Sequence, residues 1–136
     1  TAVYTHSLDN AIALSVEERV NLHLFGGKLD HHARFFFEPT MLETLRRIAF
    51  DAAFIGATAI AEDGVYFSYM EDAQVKQAAA LSARQVVVVS ETEKFQIQAP
   101  YRGLELGQID TLITDKKLAQ TQKQWFPTKT DFLIGD

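Results

Sequence analysis

Two lysines, Lys76 and Lys94, lie where they could hold a small anion. Lys76 lies about one turn into a predicted helix that starts near Glu71. A phosphate or carboxylate at that helix start would gain from the ammonium group and from the backbone N–H groups. Lys94 follows a predicted strand in a polar loop before Phe95, from which it can reach the same edge of a sheet. The alternative for each is a solvent-exposed surface lysine, which contributes little to folding stability.

Hydroxyl-bearing residues and glycines that follow predicted strands are the other binding candidates. Thr5 and Ser7 offer hydroxyl groups, although Ser7 is equally well explained as a helix cap. Glycines after strands allow a ligand close to the backbone, but they are also ordinary turn residues. Glu71 could bind sugar hydroxyls or favour the helix start as a negative charge. The predicted ligand-binding residues are Thr5, Ser7, Gly26, Gly27, Gly56, Glu71, Lys76 and Lys94.

Metal, thiol and stacking chemistry receive little support from the residue pattern. The chain has no cysteine, and its four histidines show no helical HxxxH spacing. We therefore predict no metal, no cofactor and no catalytic residue. The aromatic runs at 35–37 and 125–126 lack interleaved basic residues apart from Arg34, so we predict packing for both and a subunit contact for the first.

Strands and helices alternate along most of the sequence. Apolar runs that end abruptly in small or polar residues predict strands at 2–5, 20–25, 52–55, 86–89 and 111–114, with a further one at 132–134. Helical spacing or composition predicts helices at 7–14, 40–49, 71–83 and 116–125, the second capped by Thr40. The four valines at 86–89 show no alternation, which predicts burial on both faces of a parallel sheet.

This alternation predicts an α/β fold, a mostly parallel sheet with helices on both faces. Ligands of such sheets bind outside the carboxyl ends of the strands. We therefore expect the loops at Thr5, Gly26, Gly56 and Ser90 to lie on one rim and to form the pocket.

Length, composition and charge indicate one domain, with nothing typical of a membrane or nucleic-acid partner. The 136 residues suit a single core, and no apolar run approaches the length of a membrane span. The net charge is −5 and the basic residues are scattered, so the average surface would repel a phosphate backbone. We expect a cytoplasmic protein that does not bind DNA through this segment.

Four segments together resemble the effector-binding domain of DeoR-type bacterial transcriptional regulators. Residues 51–57 read Asp-Ala-Ala-Phe-Ile-Gly-Ala and residues 71–76 read Glu-Asp-Ala-Gln-Val-Lys. They are followed by Glu-Lys-Phe at 93–95 and by Ile-Asp-Thr-Leu-Ile-Thr-Asp at 109–115. The resemblance extends from Thr5 to Asp115, and it lies in the order and spacing of the segments.

The resemblance implies a fold similar to ribose-5-phosphate isomerase and the CoA-transferases, and a function in metabolite sensing. Domains of this family bind phosphorylated sugars and control a separate winged helix-turn-helix, here expected outside the chain. The family's first strand, with a Gly-Thr-Thr phosphate loop, would precede Thr1, so residues 1–136 are expected to be a fragment of the effector-binding domain. Symmetric homodimers or homotetramers are implied as well.

Three positions depart from the family pattern, and they keep an alternative function open. Thr58 and Ser90 stand where the family usually has Asp, and His6 stands where Asn is usual. Fewer acidic acceptors would bind fewer sugar hydroxyls, so a different phosphate ester or another small anion fits as well. The alternative is a sugar-phosphate isomerase on the same fold, which would use Glu71 as the base and Lys76 to stabilise an enediolate. A ligand-free oligomerisation domain is a third reading.

Overall fold

The computed structural model describes residues 1–135, which divide into two compact units, Thr1–Glu43 and a second that begins at Thr44. The strands are β1 Ala2–Thr5, β2 Asn21–Leu24, β3 Lys28–Asp30, β4 Phe35–Phe37, β5 Phe50–Gly56, β6 Ala59–Ala61, β7 Gly64–Phe67, β8 Ala83–Ser90, β9 Tyr101–Leu104, β10 Thr111–Thr114 and β11 Asp131–Ile134. The helices are α1 Leu8–Leu14, α2 Pro39–Arg46, α3 Met70–Ser82 and α4 Gln120–Lys123. Short 3-10 turns cover Thr92–Gln96 and Leu106–Gln108.

The first unit contains a parallel pair of strands and an antiparallel hairpin. β1 and β2 are parallel, with Thr5 opposite Leu24, so both strands end at the same edge. β3 and β4 form the hairpin. Gly27 precedes β3 with a φ of 135°, and a Cβ there would lie 2.5 Å from the Phe37 carbonyl oxygen. Glycine is required at this position because the hairpin backbone approaches so closely.

The second unit is built around a four-stranded parallel sheet in the order β11-β10-β8-β5. Its inner face is apolar, since Ile55, Val88 and Leu112 occupy one row and each is at most 2% exposed. The predicted two-sided burial of the valine run is wrong at its last residue, because Val89 is 46% exposed. Val89 is opposite Gly56, which has no side chain to cover it.

Helix α3 lies between β7 and β8 in the chain and packs through small side chains. Ala73, Val75, Ala78 and Ala80 are each at most 5% exposed. Short side chains allow a close approach of helix and sheet, which explains why an Ala-rich helix without a long apolar face is stable here. The helix predicted at 71–83 is confirmed as α3.

A second, antiparallel sheet of the order β6-β7-β9 completes this unit. The sequence patterns did not predict this sheet. Phe67 of β7 is 1% exposed and faces β9 at Gly103. A Cβ at Gly103 would lie 2.5 Å from the Phe67 ring. The glycine therefore makes room for the phenyl ring, and the aromatic group fills the space between the two strands.

The α/β class with a mainly parallel sheet is confirmed, as are the six predicted strands and the packing role of Trp125 and Phe126. Two helix predictions need correction. The predicted helix at 40–49 begins at Pro39 and ends at Arg46, because residues 47–49 lead into β5, so Thr40 lies inside the helix. The predicted helix at 116–125 covers only Gln120–Lys123, because Leu118 is buried in the core before it.

None of the helices in residues 1–135 is long and apolar enough to cross a membrane.

Asp110 joins three strands of the parallel sheet, β8, β10 and β11. Its carboxylate accepts hydrogen bonds from the backbone N–H of Val86, at 2.8 Å, and from Nζ of Lys129, at 3.1 Å. Its backbone carbonyl accepts the N–H of Asp131. The Val86 N–H and then the Lys129 ammonium lower the pKa of Asp110, because both favour the charged carboxylate.

We expect Asp110→Ala to lower the free energy of unfolding by about 1–3 kcal/mol at pH 7, since the Val86 N–H loses its acceptor. The pKa of Asp110 is lower in the folded state. Its contribution is therefore complete above the unfolded pKa of about 3.9 and is lost as pH falls through the folded pKa. Urea unfolding of both proteins at pH 7 and pH 3 measures this, and the difference should shrink at pH 3. Asp131→Ala is the control, with an expected change within about 0.5 kcal/mol. Equal losses in both variants would contradict the role of Asp110.

Candidate functional site

In the second unit, three strands of the parallel sheet end at nearly the same level. Gly56 ends β5 opposite Val89, and Ser90 ends β8 opposite Thr114 of β10. We call Gly56, Ser90, Thr92, Lys94 and Asp115 the strand-end site, because they lie at or just after these ends. A Cβ at Gly56 would meet no atom within 4 Å. Backbone at this position is therefore open to a ligand.

Hydroxyl groups shape the turns that leave the sheet. Oγ of Ser90 donates to the carbonyl of Glu91 at 3.0 Å, and Oγ1 of Thr114 donates to the carbonyl of Lys116 at 2.6 Å. Both side chains are buried, at 7% and 6% exposure. Because their protons are already donated, these hydroxyls can only accept from a ligand unless the turns rearrange.

Asp115 links the two turns. Its Oδ1 accepts the backbone N–H of Thr92 at 2.7 Å. That hydrogen bond is the main reason why the pKa of Asp115 is lowered, so the carboxylate is charged at neutral pH. The carboxylate fixes the position of the 3-10 turn Thr92–Gln96, on which Lys94 lies.

Lys94 is a half-buried lysine on a well-held turn. The next residue, Phe95, is buried, with its ring centroid 6.0 Å from Trp125 and 6.4 Å from Phe126. Across residues 1–135, the Lys94 ammonium makes no hydrogen bond, ion pair or cation–π contact. The turn thus presents an unpaired positive charge at the strand-end site.

Lys76 is in a different state from Lys94, and it is not the solvent-exposed lysine of the alternative reading. Its side chain is 19% exposed, and Nζ lies 3.1 Å from Oδ1 of Asp72 and 5.4 Å from the centroid of the Phe67 ring. The i,i+4 spacing of Asp72 and Lys76 in the sequence was the signal for this pair. Lys76 therefore contributes to packing, and its charge is already compensated.

Glu71 does not pair with Lys76. The two residues are five apart on α3, so their side chains diverge by about 140° around the helix. Glu71 is exposed in the first turn, where a negative charge stabilises the helix start. The geometry that a Glu71 base and a Lys76 electrophile would need is therefore absent from α3.

The remaining predicted residues belong to the first unit. Oγ1 of Thr5 accepts the N–H of Ser7, and Oγ of Ser7 accepts the N–H of Asn10, each at 3.1 Å. Ser7 is thus the cap of α1, as predicted. Both hydroxyls act as acceptors in these bonds, which leaves their O–H groups as donors for an anion. A Cβ at Gly26 would meet no atom within 4 Å, whereas Gly27 is fixed by the hairpin. The convergence of the Thr5, Gly26, Gly56 and Ser90 loops on one rim stays a prediction.

Among residues 1–135, no three His, Asp or Glu side chains are grouped so that they could hold a metal ion. His23 instead stacks on Tyr4, with ring centroids 4.3 Å apart and planes at 10°. The pair lies directly across β1 and β2. This histidine therefore has a packing role.

Comparison with known proteins gives consistent matches. A family model described as the DeoR C terminal sensor domain matches residues 1–116. The HTH-type transcriptional repressor GlcR of Bacillus subtilis is 35% identical over 114 residues, which cover 84% of this chain and 44% of that protein. The glycerol-3-phosphate regulon repressor of Haemophilus influenzae is 30% identical over 113 residues, covering 82% and 44%.

A putative aga operon transcriptional repressor of Escherichia coli O157:H7 is 27% identical over 113 residues, covering 82% of this chain and 42% of that protein. The chain therefore spans less than half the length of the curated relatives it matches. All three of these relatives are named as repressors, and two of them as transcriptional repressors.

Proposed function

Because this chain belongs to the family of DeoR C-terminal sensor domains, we propose that it senses a small phosphorylated metabolite and thereby controls DNA binding by a separate part of a transcriptional repressor. The observation that carries the proposal is the unpaired ammonium of Lys94 at the carboxyl ends of the parallel strands. Ligand sites of open α/β sheets lie at this edge.

The state of Lys94 favours an anionic ligand. A half-buried ammonium without a partner gains from any oxyanion that replaces its lost hydration. The turn is held by the buried Phe95 and by Asp115, so little ordering is needed when a ligand binds. A phosphate group, with three acceptor oxygens, matches the ammonium and the open backbone at Gly56.

The surroundings favour a ligand that is recognised mainly by its phosphate. Thr58 and Ser90 stand where carboxylates would accept sugar hydroxyls, so this edge of the sheet has fewer acidic acceptors for a sugar. One relative is named as a glycerol-3-phosphate regulon repressor, after a small phosphate ester. We propose this chemical class, a phosphorylated sugar or a similar small phosphate ester, for the effector of this chain.

The side-chain arrangement on α3 favours a regulatory function over an isomerase function. Lys76 pairs with Asp72 and diverges from Glu71, which leaves no base and electrophile side by side on that helix. The matched relatives are repressors, and this chain is therefore proposed to bind its ligand without turning it over. DNA contacts are assigned to the part of the polypeptide outside this chain, and the protein is proposed to act in the cytoplasm as a homodimer or homotetramer.

The test is operator binding by the full-length repressor, measured by fluorescence anisotropy with a labelled DNA duplex. Addition of the cognate phosphate ester from a panel should change the dissociation constant for operator at least tenfold, and the same sugar without phosphate should not. Operator affinity unaffected by every phosphorylated compound that binds the protein would contradict the sensing role.

A further inference from the structure

The exposed side of α3 carries an uncharged stripe that is symmetric along the helix. Met70, Gln74, Gln77 and Leu81 are all exposed, with Met70 at 51% and Leu81 at 68%. At 100° per residue these four positions fall within about 60° around the helix axis and span about 16 Å. Their order is apolar, amide, amide, apolar. We call these four residues the α3 stripe.

We propose that the α3 stripe is the contact surface for a second copy of this chain, with the two α3 helices antiparallel about a two-fold axis. The four positions are symmetric about the midpoint between Val75 and Lys76. An antiparallel pair centred there places Met70 against the partner's Leu81, and Gln74 against the partner's Gln77. Apolar side chains then meet apolar ones at both ends, and amides meet amides at the centre.

The charges of α3 are compatible with this contact. A two-fold axis brings each surface against its own copy, so a charged stripe would repel itself. Glu71, Asp72 and Lys76 all lie about 90° or more from the centre of the stripe, and the last two neutralise each other. Facing glutamine amides can donate and accept in both directions, which suits a self-complementary contact.

A groove beside the helix enlarges the surface. It has a volume of about 270 Å³ and is lined by Met70, Ala73, Gln74 and Gln77 of α3 and by Pro100, Tyr101 and Arg102 at β9. Arg102 lies 3.5 Å from Oδ2 of Asp63, so its charge is offset within the same chain. Tyr101 is 36% exposed. A specific dimer needs about 1,000 Å² or more of buried surface, which one helix stripe does not supply. The rings of Pro100 and Tyr101 add apolar surface beside the α3 stripe.

A charge exchange tests both the surface and the antiparallel order. In sedimentation velocity, the 136-residue chain should dimerise, and Met70→Glu or Leu81→Lys alone should raise the dissociation constant at least tenfold. The double variant Met70→Glu/Leu81→Lys should have a dissociation constant at least tenfold lower than either single variant, because each new carboxylate meets the partner's new ammonium. Unchanged thermal unfolding midpoints would show that the variants fold. A monomeric wild type, unaffected single variants or a double variant no tighter than the single ones would each overturn the proposal.

Disulfide trapping gives a second measurement, because the chain has no cysteine of its own. Differently tagged Gln74→Cys and Gln77→Cys chains, mixed and mildly oxidised, should form the mixed disulfide faster than either forms its own. Glu62→Cys, in the exposed turn between β6 and β7, is the control and should cross-link at the background rate. Equal rates in all three cases would overturn the contact.

Discussion

Lys94→Ala is expected to weaken binding of the phosphorylated ligand by about tenfold to 150-fold, the range of a charge-assisted hydrogen bond of about 1.5–3 kcal/mol. The ammonium has no partner in the described chain, so its removal costs no internal ion pair. The free energy of unfolding should therefore change by less than about 0.5 kcal/mol. Titration calorimetry of wild type and variant, together with urea unfolding, measures both quantities.

The matched control is Arg84→Ala, which removes a like charge from an exposed position at the start of β8, at the opposite end of that strand from Ser90. It should leave ligand affinity within about twofold, since a screened distant charge has little effect. Lys76→Ala differs from both, because it removes the ion pair with Asp72 and the contact with the Phe67 ring, so a loss of stability accompanies any loss of affinity. Equal affinities for wild type and Lys94→Ala would remove Lys94 from the site.

Phe67→Ala is expected to lower the free energy of unfolding by about 3–5 kcal/mol, the range for a deleted core aromatic. The Phe67 side chain is 1% exposed and fills the space that Gly103 leaves open. It also supports the stem of Lys76, whose ammonium lies 5.4 Å from the ring centroid. Urea unfolding followed by circular dichroism measures the loss as a lower midpoint with an unchanged slope.

Phe54→Ala provides the same chemical change at an exposed position. Phe54 lies on the outer face of β5 with 73% of its surface exposed, so the expected loss is below about 1 kcal/mol. A loss for Phe54→Ala as large as that for Phe67→Ala would mean that the outer face of the sheet, and not the β7–β9 contact, contains the critical packing.

The sequence predicted the parallel sheet well because its elements are locally patterned. The continuous valines of β8 and the Ala-rich α3 each carry a signal within a single window. The three-stranded sheet was missed because its strands are only three or four residues long and β9 pairs with β7 across more than 30 residues. The Asp-Gly turn at 63–64 was the one local signal for the β6–β7 hairpin.

The candidate site was predicted less completely than the fold. The sequence placed Lys94 after a strand, as the structure has it. It gave one signal that Lys76 is paired and Lys94 is not, namely the i,i+4 spacing of Asp72 and Lys76. The role of Asp115 depends on a backbone N–H 23 residues away, at Thr92, and such a contact is set by tertiary packing. Corrections at Val89 and at α4 have the same cause, because neighbours across the sheet decide burial.

Titration calorimetry with matched ligand pairs tests most directly whether this chain recognises the phosphate group of a small metabolite. Each sugar phosphate in a panel is compared with the same sugar without phosphate, on wild type and on Lys94→Ala. We predict saturable binding of at least one phosphorylated member, no measurable binding of its unphosphorylated partner, and a loss of about tenfold or more in the variant. Equal binding of both members of every pair, or binding of neither, would contradict recognition of the phosphate group.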